Sequence, residues 1–225
     1  MNRWMRFCIG LLGIGFLSTA FPYYGRELCN YSDFKCVTVG RHATWNSLFP
    51  DARERTIVMR LNRTTLPLYT RSWIVVPKNI SDINYLALSP LPGQTNGRGE
   101  RTVIIDLSTQ AFGAYDESGN QVYWGPVSTG KGYCPDIKSA CRTPTGSYRV
   151  YAKAGPDCKS SIFPIETHGG APMPYCMHFH KGFAMHGGVL PGYPASHGCV
   201  RLMTEDAQWL SQHFIKIGTR VVLQP

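Results

Sequence analysis

Beyond its N-terminal stretch the chain has no apolar run near the roughly 20 residues that a membrane-spanning helix requires, so no later segment is expected to cross a bilayer. It has no low-complexity tract and no internal repeat, which argues against a mainly disordered chain and against a solenoid. None of its eight cysteines stands in a CxxC-type pair, a common sign of a structural zinc site. Acidic residues are scarce: 14 Asp and Glu face 23 Lys and Arg, for a formal net charge of +9. That balance favours an acidic partner. Nucleic acid is the poorer candidate, because the basic residues are scattered and the chain carries an export signal.

That signal is the first thing the chain does have. In residues 1–20, Arg3 and Arg6 form a positive n-region, residues 7–17 an apolar h-region, and Ser18-Thr19-Ala20 a small-residue cleavage site. An uncleaved anchor is the competing reading, but apolar character ends by about Phe21, short of a span. Cleavage near Ala20 would remove Arg3, Arg6 and Cys8, leaving seven cysteines and a charge of +7, which is +9 less two. The expected location is the periplasm or cell envelope, an oxidising compartment in which cysteines pair. Seven is odd, so one thiol is expected to stay free and reactive. Nearness in sequence suggests Cys29 with Cys36, Cys134 with Cys141, and Cys158 with Cys176, which singles out Cys199.

The 225 residues have room for one ordinary domain and a small one, at roughly 100–200 residues per domain. Residues 36–78 read as strand, helix, helix, strand. Cys36-Val37-Thr38-Val39 opens the unit, Thr44 caps a helical turn, a helix near 53–61 carries Ile57, Val58 and Leu61, and Trp73-Ile74-Val75-Val76 closes at Pro77. Residues 89–101, rich in Pro, Gly and polar side chains, read as a linker. From 102 to 225, short strands at 102–107, 111–115, 121–124, 147–151, 177–179 and 182–185 argue for a mostly β domain. One helix is expected over 205–217, capped by Thr204 and striped by Ala207, Leu210, Phe214 and Ile217, before a last strand at 220–223. The fold class is α+β.

The chemistry gathers in the last third. Cys199 stands in Ser196-His197-Gly198-Cys199-Val200-Arg201. A thiolate is a strong nucleophile and a workable leaving group, which suits two-step acyl transfer through a thioester. Gly198 permits a tight turn before it. His186, thirteen residues upstream in Met185-His186-Gly187-Gly188, is a candidate to take the thiol proton and return it to a leaving amine. Backbone N–H groups around His197, Gly198 and Cys199 are candidates for an oxyanion hole. A low-pKa thiol is expected. The competing reading is a zinc hydrolase, with Cys176, His178 and His180 alternating on one strand face. A disulfide at Cys176 would leave His178 and His180 as ordinary strand residues, so neither metal nor cofactor is expected. His42, His168 and His213 have no motif around them and read as surface residues.

Two resemblances extend this reading. Residues 36–78 resemble a LysM module, through the opening Val37-Thr38-Val39, Thr44-Trp45 at the first helix, Leu61-Asn62-Arg63 after the second, and the closing Ile74-Val75-Val76-Pro77. That likeness implies binding of glycan strands containing N-acetylglucosamine. Arg41-His42-Ala43 stands where that family has Gly-Asp before the Thr, so a structural cap without ligand stays open beside it. Residues 102–223 resemble the L,D-transpeptidase catalytic domain of the YkuD family. The likeness rests on His186-Gly187, on Pro191-Gly192-Tyr193-Pro194-Ala195 and on Ser196-His197-Gly198-Cys199-Val200-Arg201-Leu202. Arg142-Thr143-Pro144-Thr145-Gly146-Ser147-Tyr148, Asp106-Leu107-Ser108-Thr109-Gln110 and Pro126-Val127-Ser128-Thr129-Gly130 support it.

The second resemblance implies a YkuD-type domain with one C-terminal helix and a cysteine acyltransferase acting in cell-wall biogenesis and cell shape. It implies Cys199 as nucleophile, His186 as base and the Gly187 carbonyl as the group orienting the imidazole. Ser196, His197 and Gly198 would line the oxyanion and substrate side, and Arg201 would hold a substrate carboxylate or brace the loop. The implied donor is a peptidoglycan tetrapeptide stem that loses D-Ala. The implied acceptor is a second stem, an envelope protein, or water in a carboxypeptidase. A non-catalytic peptidoglycan-binding protein is the reading from another class.

Overall fold

The computed structural model describes residues 24–225; the expected signal segment, with Cys8, lies outside the described residues. The N-terminal unit has the order expected of it. β1 (Phe34–Thr38) is followed by α1 (Trp45–Leu48), α2 (Ala52–Leu61) and β2 (Trp73–Pro77), and β1 pairs antiparallel with β2, Cys36 opposite Val75. Thr44 and Ser47 exchange side-chain-to-backbone hydrogen bonds, which starts α1 by satisfying N–H groups that the first turn leaves unpaired. Asp51 does the same for α2, accepting from the Glu54 amide at 2.9 Å. Asn62 then knits α2 to β2: its amide nitrogen donates to the carbonyls of Val58 and Val75, and its oxygen accepts from the Val75 amide. The Cys29–Cys36 disulfide ties the preceding segment to β1.

The larger unit is one strongly curled sheet. Its strands are β3 (Thr102–Asp106), β4 (Ala111–Tyr115), β5 (Gln121–Ser128), β8 (Gly146–Arg149), β9 (Ala152–Lys153), β10 (Met177–His180), β11 (Phe183–Gly187), β12 (Val200–Leu202) and β13 (Arg220–Gln224). A separate hairpin joins β6 (Gly132–Cys134) to β7 (Ser139–Cys141), and α3 (Thr204–Trp209) precedes β13. The sheet order is β8-β13-β3-β4-β5-β12-β11-β10-β9. Curling brings β8 back towards β10, where Tyr148 packs on Phe179 and His180 with ring centroids 5.6 and 4.6 Å apart. The core inside the curl is made by Val103, Ile105, Phe112, Val127, Met185, Leu202, Leu210 and Val221, all fully buried. Among the described residues no helix is long and apolar enough to cross a membrane.

Three details differ from the sequence expectation. Thr204 is the first residue of α3 rather than its cap; Met203 holds the cap position and gives no side-chain hydrogen bond. The helix also stops early, passing into a wide turn at Leu210–Phe214. Lys153 Nζ donates to the carbonyls of Ser211 and Ile215 at 2.5 and 2.6 Å, and Ile217 beyond them is exposed. The segment 89–101, expected to be a linker, lies along the turn between β4 and β5: Ser89 and Leu91 are buried, Thr95 N–H donates to the Gly119 carbonyl and Gly99 N–H to that of Glu117.

The two units share a core. Ile57, Leu61, Val75, Leu88 and Leu91 pack against Ala111 and Trp124 of the sheet. Into this contact α2 sends Arg60, which is 4% exposed. Its guanidinium pairs with Asp206 of α3 through both carboxylate oxygens, one contact at 2.8 Å, and also donates to the Trp124 carbonyl and the Tyr123 and Tyr85 hydroxyls. Burial is the largest single effect and opposes its charge, but Asp206 together with Tyr85 and Tyr123 raises the pKa above the ordinary guanidinium value. Removing one partner leaves the other buried and unpaired. Arg60→Ala is therefore expected to cost about 3–5 kcal/mol in a denaturation measurement, whereas Arg60→Met with Asp206→Leu should come close to the parent. A single substitution costing less than about 1 kcal/mol would contradict the pairing.

Candidate active site

Strand register builds the site. β11 and β12 run parallel, with Met185 opposite Val200 and His186 opposite Arg201. One step earlier the same ladder sets Ala184 beside Cys199, and the Ala184 backbone hydrogen-bonds the thiol. Alternate residues share a face, so His186, Arg201 and Cys199 project to one side. β10 continues that face, because His178 lies opposite Ala184. All four side chains line a groove of about 390 Å³. Its other walls come from Lys159, Phe163, Pro172 and Met173, in the loop closed by Cys158–Cys176. No Asp or Glu lines it.

The turn before Cys199 is fixed by backbone chemistry. Gly198 has φ +119°, and a Cβ built on it would lie 2.5 Å from a Phe183 ring carbon, so glycine alone fits without a shift. Ser196 Oγ accepts from the Gly198 amide at 3.0 Å and donates to the Cys199 carbonyl at 2.5 Å. Thr143 Oγ1 donates to the Gly198 carbonyl at 2.8 Å while accepting from the Gly130 amide. The Ala195 and Ser196 amides both donate to the Thr129 carbonyl, and Gln110 clasps Thr129 through its side chain. Ser196 and Gly198 thus hold the turn, and the Gly198 amide is already engaged rather than aimed at the groove.

His186 is 6% exposed, and its Nδ1 lies 2.9 Å from the Gly187 carbonyl oxygen. A carbonyl accepts only, so Nδ1 carries the hydrogen and Nε2 is left with a lone pair. Burial pushes the imidazole pKa down to about 4, against the Gly187 contact that raises it and with Arg201 and His178 lowering it further. Cys199 is half-buried, and burial raises its pKa, opposed by the Ala184 hydrogen bond and by Arg201. The structure departs from the low-pKa thiol expected from sequence: desolvation of the sulfur outweighs the nearby cation, so burial favours the neutral form of the thiol as it favours that of the imidazole.

His197 turns to the groove's far rim. Its Nε2 meets Asp136 Oδ2 at 2.6 Å, and its ring packs on Phe163 at 4.4 Å. The His197 hydrogen bond holds the Asp136 carboxyl below the usual range. Asp136 belongs to the hairpin of β6 and β7, closed by Cys134–Cys141. Cys134, Asp136 and His197 form a metal-like trio, but the Cys134 sulfur is bonded to Cys141, which leaves two ligands. Cys176 is bonded to Cys158, so the alternating Cys176, His178 and His180 supply no three-ligand set either. The three disulfides are those expected from sequence, and Cys199 is the free cysteine among the described residues.

The sequence singles out none of Asp136, Thr143 and Lys159 as a site residue, and it offers His178 only as a metal-ligand candidate or an ordinary strand residue. Thr143 does lie in the Thr-Pro-x-Gly run, which was legible as a motif, but nothing in its spacing tells that its hydroxyl would brace Gly198.

The family model of the YkuD L,D-transpeptidase catalytic domain matches residues 100–223. The L,D-transpeptidase from Xylanimonas cellulosilytica is similar in structure, at 26% identity and TM-score 0.54, over 76% of this chain and 79% of that one. An L,D-transpeptidase from Mycobacterium tuberculosis shares 23% identity over 56% of this chain and 57% of its own, with TM-score 0.44. One from Enterococcus faecium shares 20% identity over 56% and 50%, also with TM-score 0.44. No curated protein matches the chain.

A neutral resting pair has a measurable signature. Iodoacetamide should modify Cys199 more slowly at neutral pH than it modifies free cysteine, with the rate still rising above the ordinary thiol pKa. A neutral-pH rate above that of free cysteine would show a thiolate–imidazolium pair instead.

Proposed function

The chain belongs to the YkuD family of L,D-transpeptidase catalytic domains, and we propose that it uses Cys199 to transfer peptidoglycan stem peptides outside the cytoplasm. The observation that carries the reading is the shared face of the β11–β12 ladder, with a free thiol, an oriented neutral imidazole and a guanidinium in one groove. His186 Nε2 takes the thiol proton as sulfur attacks the third-residue carbonyl carbon of a tetrapeptide stem. The C–N bond to D-Ala then breaks, the leaving amine takes the proton from His186, and a thioester stays on Cys199. An acceptor amine attacks that thioester, the C–S bond breaks, and the amine's proton returns through His186 to the sulfur.

Because the resting pair is neutral, charge develops only in the transition state, where a buried site stabilises it most effectively. The His197 and Cys199 amides serve as oxyanion donors, since that of Gly198 is held by Ser196. Arg201 holds a carboxylate of the stem, and the absence of acidic side chains from the groove suits an anionic substrate. A second stem is the acceptor, giving a cross-link between two third residues; an envelope protein is the alternative amine. The periplasm or cell envelope is the place of action, in keeping with residues 1–20 and three disulfides.

The reading is tested by incubating tetrapeptide muropeptides with the oxidised protein beside Cys199→Ala, followed by mass spectrometry. Cross-linked dimers that have lost D-Ala are expected, and none with the variant. Loss of D-Ala without dimers would move the acceptor to water. No Cys199-dependent change would contradict enzymatic function.

A further inference from the structure

The twelve residues from Gly188 to Cys199 have to carry the chain from the end of β11 back to the start of β12, because the two strands are parallel. They form no helix and no strand, so this crossover owes its shape to what it touches. Part of it is touched by the N-terminal unit. The Thr65 amide donates to the Leu190 carbonyl at 2.9 Å, and the Leu190 amide donates back to Thr65 Oγ1 at 3.0 Å. Thr64 bridges Pro191 in strand fashion. Arg71 Nη2 donates to the Pro191 carbonyl at 2.5 Å. Gly192, at φ +97°, lies directly under that guanidinium, where any Cβ would collide with it. Leu190 itself is fully buried. From the other side, Ser128 Oγ donates to the Tyr193 carbonyl at 2.8 Å.

We infer that the N-terminal unit is a working part of the active site, and that Arg71 is a positioning residue that clamps the Gly188–Cys199 crossover over the substrate groove. The crossover contributes Gly188 and Val189 to the groove wall, next to His186 and Arg201. Arg71 reaches neither the groove nor the reacting atoms; it acts through Pro191 and Gly192. Burial lowers its pKa, but a guanidinium stays protonated across the physiological range, so the clamp is present at any working pH. The side of the unit between α2 and β2 is thereby spent on the catalytic loop, a use that the LysM resemblance does not suggest. A second path runs through Arg63, whose Nε donates to the Thr109 carbonyl beside Gln110, the residue that clasps Thr129. The importance of the clamp for turnover rests on the transferase reading above; the clamp itself does not.

The test uses the purified protein, Arg71→Ala and Arg71→Lys. Hydrogen exchange over residues 188–195 reads the clamp without any substrate. Exchange there should quicken by about tenfold or more in Arg71→Ala and stay near the parent in Arg71→Lys, which can still donate to Pro191. D-Ala release should fall by about tenfold or more in kcat/KM for Arg71→Ala, with Arg71→Lys restoring most of it, since small misplacements cost heavily in catalysis. Iodoacetamide reactivity of Cys199 should stay within about twofold, because Ser196, Thr143 and the β11–β12 ladder hold the thiol independently. Unchanged exchange in Arg71→Ala would overturn the clamp. Quickened exchange with unchanged turnover would overturn its role in catalysis. A parent protein that releases no D-Ala would refute the transferase reading, while the exchange result would still decide the clamp.

Discussion

The structure depends on the parallel pairing of β11 with β12. A parallel neighbour cannot be reached by a tight turn, so a crossover of about a dozen residues must separate His186 from Cys199 in sequence. The pairing then returns them to one face, two residues apart along the ladder. Much of the surrounding architecture serves that crossover. Thr129 receives two of its amides, Ser128 a carbonyl, Thr143 the carbonyl of Gly198, and the N-terminal unit holds Leu190 and Pro191. The helix that would ordinarily cover such a connection is missing there, and hydrogen bonds from four separate segments replace it.

Electrostatics follow from the same burial. A thiol and an imidazole taken out of water both favour their neutral forms, so the thiol pKa rises and that of the imidazole falls to about 4. The Gly187 carbonyl, unlike a carboxylate, fixes the tautomer of His186 without adding a negative charge that would draw the imidazole towards its protonated form. Two charge pairs stand close by. Arg60 and Asp206 satisfy each other where the two units meet, and Asp136 holds His197 at the rim.

The catalytic segments were legible because their chemistry restricts residue type. Cys199 stood out as the odd thiol in a chain read as carrying an export signal, and Gly198 as the residue a tight turn demands. The disulfides followed from nearness. Most strands in the curled sheet were legible too, since their apolar runs are bounded by turn residues. Three-residue β12 and two-residue β9 were not, being too short for a period to register. Arg60 and Arg71 carry no sequence signal of their roles, because nothing local reveals that one will meet Asp206, 146 positions away, or that the other will meet a loop carbonyl. The helix near 205–217 was placed within one residue at its start, while the carbonyls at its end meet Lys153, a partner from a distant strand.

Covalent trapping tests the central claim, that Cys199 is the acylated nucleophile, most directly. Excess carbapenem added to the purified protein, followed by intact mass and peptide mapping, should show one drug mass on the peptide containing Cys199 and none on the Cys199→Ala protein. A parent protein left unmodified, or one modified at another residue, would contradict it.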